Sequence, residues 1–95
     1  MQFPFWINSR HHKPLKRAQL RLKFMLNLAA LHKYGRTSMH DLARDVGCNH
    51  SSIFNAINRG YFTPQMAECI ERVVGADQLQ AQWLTDPLEV GRVAA

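Results

Sequence analysis

The first 36 residues of this 95-residue chain contain no aspartate or glutamate, although they hold eight lysines and arginines. Residues 37–60 balance two bases against two acids, and residues 61–95 hold two bases against five acids. The net charge of +5 is therefore concentrated at one end of the chain. A one-sided cationic segment favours a polyanion, such as nucleic acid, as the partner.

Cysteine and long apolar runs are also scarce. The two cysteines, Cys48 and Cys69, form no Cys-x-x-Cys pair, and we interpret both as small core residues of a reducing compartment. No window approaches the roughly 18 apolar residues of a membrane span. The N-terminus is apolar first and basic afterwards, which is the reverse of a secretory signal. We therefore expect a cytoplasmic protein without a membrane partner.

Catalytic motifs are absent as well. The sequence contains no Gly-x-Ser-x-Gly elbow, no His-Glu-x-x-His pair and no glycine-rich loop that would hold phosphate. The five histidines do not form a ligand set, and histidines on helix surfaces are usually only polar groups. We predict that the protein is not an enzyme and has no metal site, no cofactor and no small-molecule substrate.

Apolar residues recur at helical spacing, and no segment has the pattern of a strand. Start and stop residues divide this pattern into five helices. The signals are Pro14 and Gly35, Ser38 with Asp41 and Gly47, Asn49 and Gly60, Thr63-Pro64 and Gly75, and Asp77 with Gln80 before Pro87. The predicted fold is an all-α, compact five-helix bundle. It divides into an arm at 1–13, a helical domain at 14–86 and a flexible tail at 87–95.

Two groups of apolar residues lead to further predictions about burial. Leu20, Phe24, Leu28 and Leu31 widen the apolar stripe of the first helix and predict its burial over much of its circumference. The cluster Phe3, Phe5, Trp6 and Ile7 either folds back over the core or forms a partner or dimer surface. Both alternatives remain open at this point, and folding back of the cluster is compatible with a basic arm along DNA.

The second and third helices are joined by a tight turn at Gly47, which is typical of a helix-turn-helix. Residues 42–53, LARDVGCNHSSI, resemble the helix-turn-helix of the lambda-repressor and Cro superfamily. Residues 52–64, SIFNAINRGYFTP, are similar to its Ner-like phage branch, and the resemblance covers about residues 15–85. It implies a lambda-repressor-like fold whose third helix enters the DNA major groove. It also implies a phage or prophage repressor that binds symmetric sites as a homodimer.

The third helix supplies the candidate base-reading residues. With Ile53 inward and about 100° per residue, Ser51, Asn55 and Asn58 point outward, while Phe54 lies at one border. Many members of the family have a large apolar residue where this chain has Ala56, with Ile57 next. Short polar side chains suit base recognition, because asparagine can pair with adenine and serine with either base pair. The candidate base readers are His50, Ser51, Ser52 and Asn55.

Other polar residues are candidates for contacts to the DNA backbone, which position a protein without reading sequence. They are Arg36, Thr37, Ser38, Arg44, Asn49, Asn58 and Arg59. A basic arm of Arg10, Lys13, Lys16 and Arg17 adds affinity driven by charge. The main hypothesis is a transcriptional regulator that binds double-stranded DNA. The alternative is a protein-interaction module of the same fold, which holds a polymerase subunit or a phage assembly component.

Overall fold

The computed structural model describes residues 3–7 and 11–90, and all regular secondary structure in these ranges is helical. The described elements are α1 Pro14–Tyr34, α2 Met39–Val46, α3 His50–Arg59, α4 Pro64–Val74, α5 Ala81–Thr85 and a 3-10 helix at Pro87–Glu89. The prediction of an all-α protein with five α-helices is confirmed for these residues. Within the same ranges, no helix combines the length and the apolar character that crossing a bilayer requires.

Most helix ends follow local signals in the sequence. Pro14 opens α1 at no cost in hydrogen bonding, because the first amides of a helix have no partner inside it. Ser38 Oγ accepts a hydrogen bond from the Asp41 amide at 3.2 Å and caps α2. Thr63 Oγ1 accepts one from the Met66 amide at 3.4 Å and caps α4 in the same way. These starts agree with the predicted ones.

The predicted N-cap position of Asn49 is confirmed without its capping hydrogen bond, and the predicted cap at Asp77 is wrong. Asn49 stands at the N-cap of α3 with an extended backbone, but its side chain makes no capping hydrogen bond. Asp77 lies in a turn, and α5 begins only at Ala81, whose amide donates to Glu71 Oε2 at 2.7 Å. A glutamate from α4 therefore supplies the acceptor that a neighbouring residue was expected to supply.

The core lies between α1 and the elements around it. α1 packs against α2, α3, α4 and the 3-10 helix, and α4 packs against α5. The largest fully buried side chains come from the five α-helices and from the segments that precede or connect them: Ile7, Leu22, Met25, Leu26, Leu42, Ile53, Phe62, Ile70, Leu79 and Leu84. Removing this apolar surface from water is the main force that holds the helices together.

The outer side of α1 departs from the expectation of burial. Leu28 and Leu31 remain 43% and 48% exposed, and Leu20 and Phe24 are half-buried. The reason is geometric: α1 is the longest helix, and the elements that pack on it do not surround it. These residues and Trp6 line an open groove of about 390 Å³, which we call the α1 groove.

The N-terminal cluster is divided between the core and solvent. The Phe3 and Phe24 rings make an edge-on contact with 5.7 Å between their centroids, and Ile7 is fully buried. Phe5 and Trp6 are exposed. Part of the predicted arm therefore belongs to the folded domain, and the rest of the cluster is open to solvent.

The segment after α5 also belongs to the fold in part. Arg21 Nη1 donates to the carbonyl oxygens of Pro87, Leu88 and Val90 at 2.9, 3.2 and 3.1 Å. Pro87 and Val90 are buried. The sequence assigns residues 87–95 to a flexible tail, but the first four of them are held in place by α1. Residues 91–95 lie outside the described ranges.

Candidate nucleic-acid interface

α3 presents one buried and one exposed side. Ile53, Ala56 and Ile57 are buried, while Ser51 and Asn55 are exposed, as the helical wheel predicted. The small side chain of Ala56 does not change which side of α3 faces the core, because Ile57 beside it is also buried. Apart from the half-buried Ser52, the polar side chains of α3 are thus available to a partner.

A short turn sets α3 against α2. Gly47 has a φ of 88°, and the amides of Gly47 and Cys48 both donate to the Ala43 carbonyl at 2.9 and 3.0 Å. A residue with a Cβ is strained at such a φ, so glycine suits this position. Ala43 is buried, and its small side chain permits close packing of the two helices.

Asp41 holds two of the predicted backbone-binding arginines. Arg36 donates from Nε and Nη2 to Asp41 Oδ2 at 2.9 and 2.7 Å, and Arg44 Nη1 donates to Oδ1 at 3.1 Å. The hydrogen bonds from Arg36 are the main cause that lowers the pKa of the Asp41 carboxyl group. The arginine side chains remain 71% and 67% exposed, so each can still present N–H groups to an anion.

A second acid extends this network to the end of α1. The Tyr34 hydroxyl donates to Asp45 Oδ2 at 2.6 Å, and this bond is the main cause that lowers the pKa of Asp45. Burial, followed by the same bond, raises the pKa of Tyr34. Arg44 Nε also donates to Asp45 at 3.4 Å. Two arginines therefore share two carboxylates, and the network as a whole carries no net charge.

Three rings form a row across α2 and α3, which we call the aromatic row. The ring centroids of His40 and His50 lie 4.1 Å apart, and the two ring planes make an angle of 36°. The ring centroids of His50 and Phe54 lie 6.0 Å apart with 83° between the ring planes, which is an edge-to-face contact. His50 is exposed, and its ring packs against His40 of α2.

The basic start of α1 lies beside the C-terminal end of α3. Gln19 Nε2 donates to the Asn58 carbonyl at 2.8 Å. A Cβ on Gly60 would stand 2.8 Å from Leu15 Cδ1, which shows how closely the two segments approach. Lys13 and Lys16 are exposed, and within residues 3–7 and 11–90 neither forms an ion pair. These cations therefore extend the surface that α3 begins.

The predicted site residues have unequal exposure. Most are exposed: His50, Ser51, Asn55, Arg36, Thr37, Arg44, Asn49, Asn58, Arg59, Lys13 and Lys16. Ser52, Ser38 and Arg17 are half-buried. The Ser38 hydroxyl is already used by the Asp41 amide, and the Arg59 guanidinium lies 4.7 Å above the Tyr61 ring. Arg10 lies outside the described residues.

Sequence reasoning missed both the Asp41 network and the aromatic row. Arg44 follows Asp41 by three positions on α2, which is a spacing that brings side chains together and could have indicated that pair. The contact between His40 and His50 joins two helices, and no local spacing indicates it.

The potential metal ligands remain separate. Within the described ranges, no three or more His, Cys, Asp or Glu side chains come together as a metal-binding group. Cys48 and Cys69 are free thiols that are half-buried, and burial raises the pKa of Cys48. They therefore lie at the margin of the core, although the sequence placed them inside it.

Comparisons with protein-family models, with curated proteins and with solved structures found no match to this chain.

Proposed function

We propose that this protein is a sequence-specific transcriptional regulator that binds double-stranded DNA, of the kind that phages and prophages use as repressors. In this proposal α2 and α3 form a helix-turn-helix of the lambda-repressor and Cro type, and α3 enters the major groove. The protein acts by occupying its site, so the proposal requires no catalysed reaction, no metal and no cofactor.

One observation carries the proposal: α3 exposes small hydrogen-bonding side chains and lies next to the basic start of α1. Ser51 and Asn55 are exposed on α3. Gln19 of α1, one turn after the exposed Lys16, donates to the Asn58 carbonyl at the C-terminal end of α3. The major groove is about 12 Å wide, and short side chains let a helix enter it deeply. Serine and asparagine favour helices only weakly, so their presence on an exposed side calls for a reason other than helix formation.

The proposed roles follow from side-chain chemistry and exposure. Asn55 can donate to and accept from adenine at the same time, which distinguishes adenine from the other bases. Ser51 and His50 are exposed beside it and are the further base readers. Ser52 is half-buried, so we assign it the smallest share of base contacts.

Backbone contacts come from two places on this surface. Arg36 and Arg44 are held in fixed positions by Asp41, which lowers the entropy they lose when they meet phosphate oxygens. Because the two carboxylates balance their charge, most of the net attraction to DNA comes from Arg59 and from the basic arm of Arg10, Lys13, Lys16 and Arg17. Thr37, Asn49, Asn58 and Arg59 complete the proposed backbone contacts.

A homodimer on a symmetric site fits the size of the molecule. The longest dimension of one chain is 35 Å, so one chain covers one half-site. Half-sites for such dimers lie about 34–36 Å apart, or one turn of the double helix. The dimer contact would involve α5 or the exposed N-terminal aromatic residues, Phe5 and Trp6.

The first test measures binding to random duplex DNA by fluorescence anisotropy at about 50 and 200 mM salt. If about five phosphates are neutralised, the slope of log K against log salt is expected to be near −4 to −5. The variant Lys13→Gln/Lys16→Gln should make the slope shallower by about two units. Removing residues 1–13 would be a poorer test, because Ile7 is part of the core.

Arg72→Gln is the matched control, because Arg72 is an exposed base on α4. It should leave the salt slope unchanged if the cations near α3 carry the interaction. A flat salt response of the wild-type protein would exclude DNA as the partner. Selection from a random duplex pool then reports the preferred sequence and the half-site spacing.

A protein-interaction module is the second candidate, and the α1 groove favours it. Trp6, Leu28 and Leu31 are about half exposed within this groove, which is a site where an apolar helix of a partner would fit. The basic first third of the chain argues for DNA instead. The flat salt response described above would leave this second candidate as the better one.

A further inference from the structure

Phe54 is the large apolar side chain that α3 leaves in solvent. It is 43% exposed, whereas Ile53 and Ile57 of the same helix are buried. Its exposed neighbours on that side, Ser51 and Asn55, are polar. An aromatic ring in this position contributes little to the core, and the proposed base readers and backbone contacts do not include it.

The Phe54 ring is held in place from one side. His50 contacts it edge-to-face at 6.0 Å, and His40 of α2 stacks on His50 at 4.1 Å. Phenylalanine has only two side-chain torsions, and these contacts restrict them further. A partner that meets this ring therefore pays little of the entropy that a free side chain would lose.

The position of Phe54 on α3 places it beside the proposed base readers. His50, Phe54 and Asn58 follow one another at a spacing of four residues and form one stripe. Asn55 is the next residue after Phe54, about 100° further around the helix. If Asn55 meets a base edge, the Phe54 ring faces a base edge close to it.

We propose that Phe54 is a specificity-determining residue that recognises thymine through its C5 methyl group. This inference rests on the proposed DNA-binding function and on α3 lying in the major groove. The methyl group of thymine is the one apolar feature among the unmodified base edges of that groove, and cytosine carries a hydrogen at the same position. A fixed aromatic ring matches the methyl group and offers no hydrogen bond to the other bases.

The test uses the duplex that the protein selects most strongly from a random pool. Each thymine of that duplex is replaced in turn by deoxyuridine, which removes the methyl group and keeps base pairing. We expect the wild-type protein to lose about fourfold in affinity at one thymine per half-site, because the burial of one methyl group no longer contributes to binding. Fluorescence anisotropy at constant salt measures the ratio of the two dissociation constants.

Three variants assign the effect to Phe54. Phe54→Ala should bind the thymine and deoxyuridine duplexes equally, whereas Phe54→Leu keeps an apolar contact and should retain part of the difference. Tyr61→Ala is the matched control, because Tyr61 is another exposed aromatic residue that follows α3. It should leave the ratio at the wild-type value even if overall affinity falls. Thermal unfolding checks that each variant is folded.

The outcomes separate this inference from the proposed function. If no sequence is selected and DNA does not bind, the proposed function fails. If a sequence is selected but no thymine shows the methyl effect, the role of Phe54 is wrong while DNA binding stands. An effect that persists unchanged in Phe54→Ala also overturns it. Replacing the responsive thymine pair by a cytosine pair should weaken binding, and 5-methylcytosine should recover part of the loss.

Discussion

α1 and α3 both bury one side in the same core, but the side chains they leave exposed differ: apart from Phe54, those of α3 are all polar. α3 exposes Ser51 and Asn55, which favour helices weakly, whereas α1 exposes Leu28 and Leu31, which favour them strongly. Neither choice is what contact with water alone requires. Ser51 and Asn55 can offer hydrogen bonds to a partner, whereas Leu28 and Leu31 can offer apolar surface.

The largest expected effect separates the two sides of α1. Leu22→Ala removes a fully buried side chain and leaves a cavity, so we expect the free energy of unfolding to fall by about 2–5 kcal/mol. Leu28→Ala makes the same chemical change on the exposed side and should cost about 1 kcal/mol or less. Denaturant unfolding measures both. Equal losses would mean that the α1 groove is covered in solution, for instance by a second chain.

The second prediction concerns the exposed side of α3. Asn55→Ala should weaken binding to the selected DNA site by about 1–3 kcal/mol, because a pair of hydrogen bonds to one base is lost. The free energy of unfolding should stay the same or rise slightly, because alanine favours helices more than asparagine does.

The control for Asn55 is Gln65→Ala, since Gln65 is an exposed amide on α4. It should leave DNA affinity unchanged. If Asn55→Ala weakens binding to every sequence by the same factor, Asn55 contacts the backbone and does not read a base. Competition between the selected duplex and random duplex distinguishes these two results.

The smallest expected effect concerns the network that joins the end of α1 to α2. Arg36 holds the pKa of Asp41 below its ordinary value of 3.8, so the folded protein binds this proton less readily than the unfolded chain. The stabilisation is present above pH 3.8 and is lost as pH falls through the lower pKa of the folded state. Asp41→Asn should therefore be less stable at neutral pH.

The stability of Asp41→Asn should also depend less on pH than that of the wild-type protein. We expect the difference between the two proteins to shrink as pH falls from about 5 to about 2, which denaturant unfolding at several pH values measures. A difference that stays constant over this range would show that Asp41 stabilises the fold through packing, without a contribution from its charge.

The exposure and contacts of residues at the candidate interface could be predicted from the sequence to different degrees. The exposure of Ser51 and Asn55 follows from the helical spacing of Ile53 and Ile57, because a rigid helix turns by a constant angle per residue. The missing cap at Asn49 could not be predicted, because the residue type permits a cap without requiring one. The burial of α1 was overestimated, because spacing identifies apolar positions but does not show how many neighbours cover them.

Most helix starts follow from residues that stand next to them in the sequence. Ser38, Thr63 and Pro14 act on amides within the next few residues, so their effects can be deduced without knowledge of the fold. The contact of His40 with His50, and the hydrogen bonds from Arg21 to the carbonyl groups of Pro87, Leu88 and Val90, depend instead on the tertiary fold. These contacts join separate elements, and their geometry depends on how the helices pack around the core.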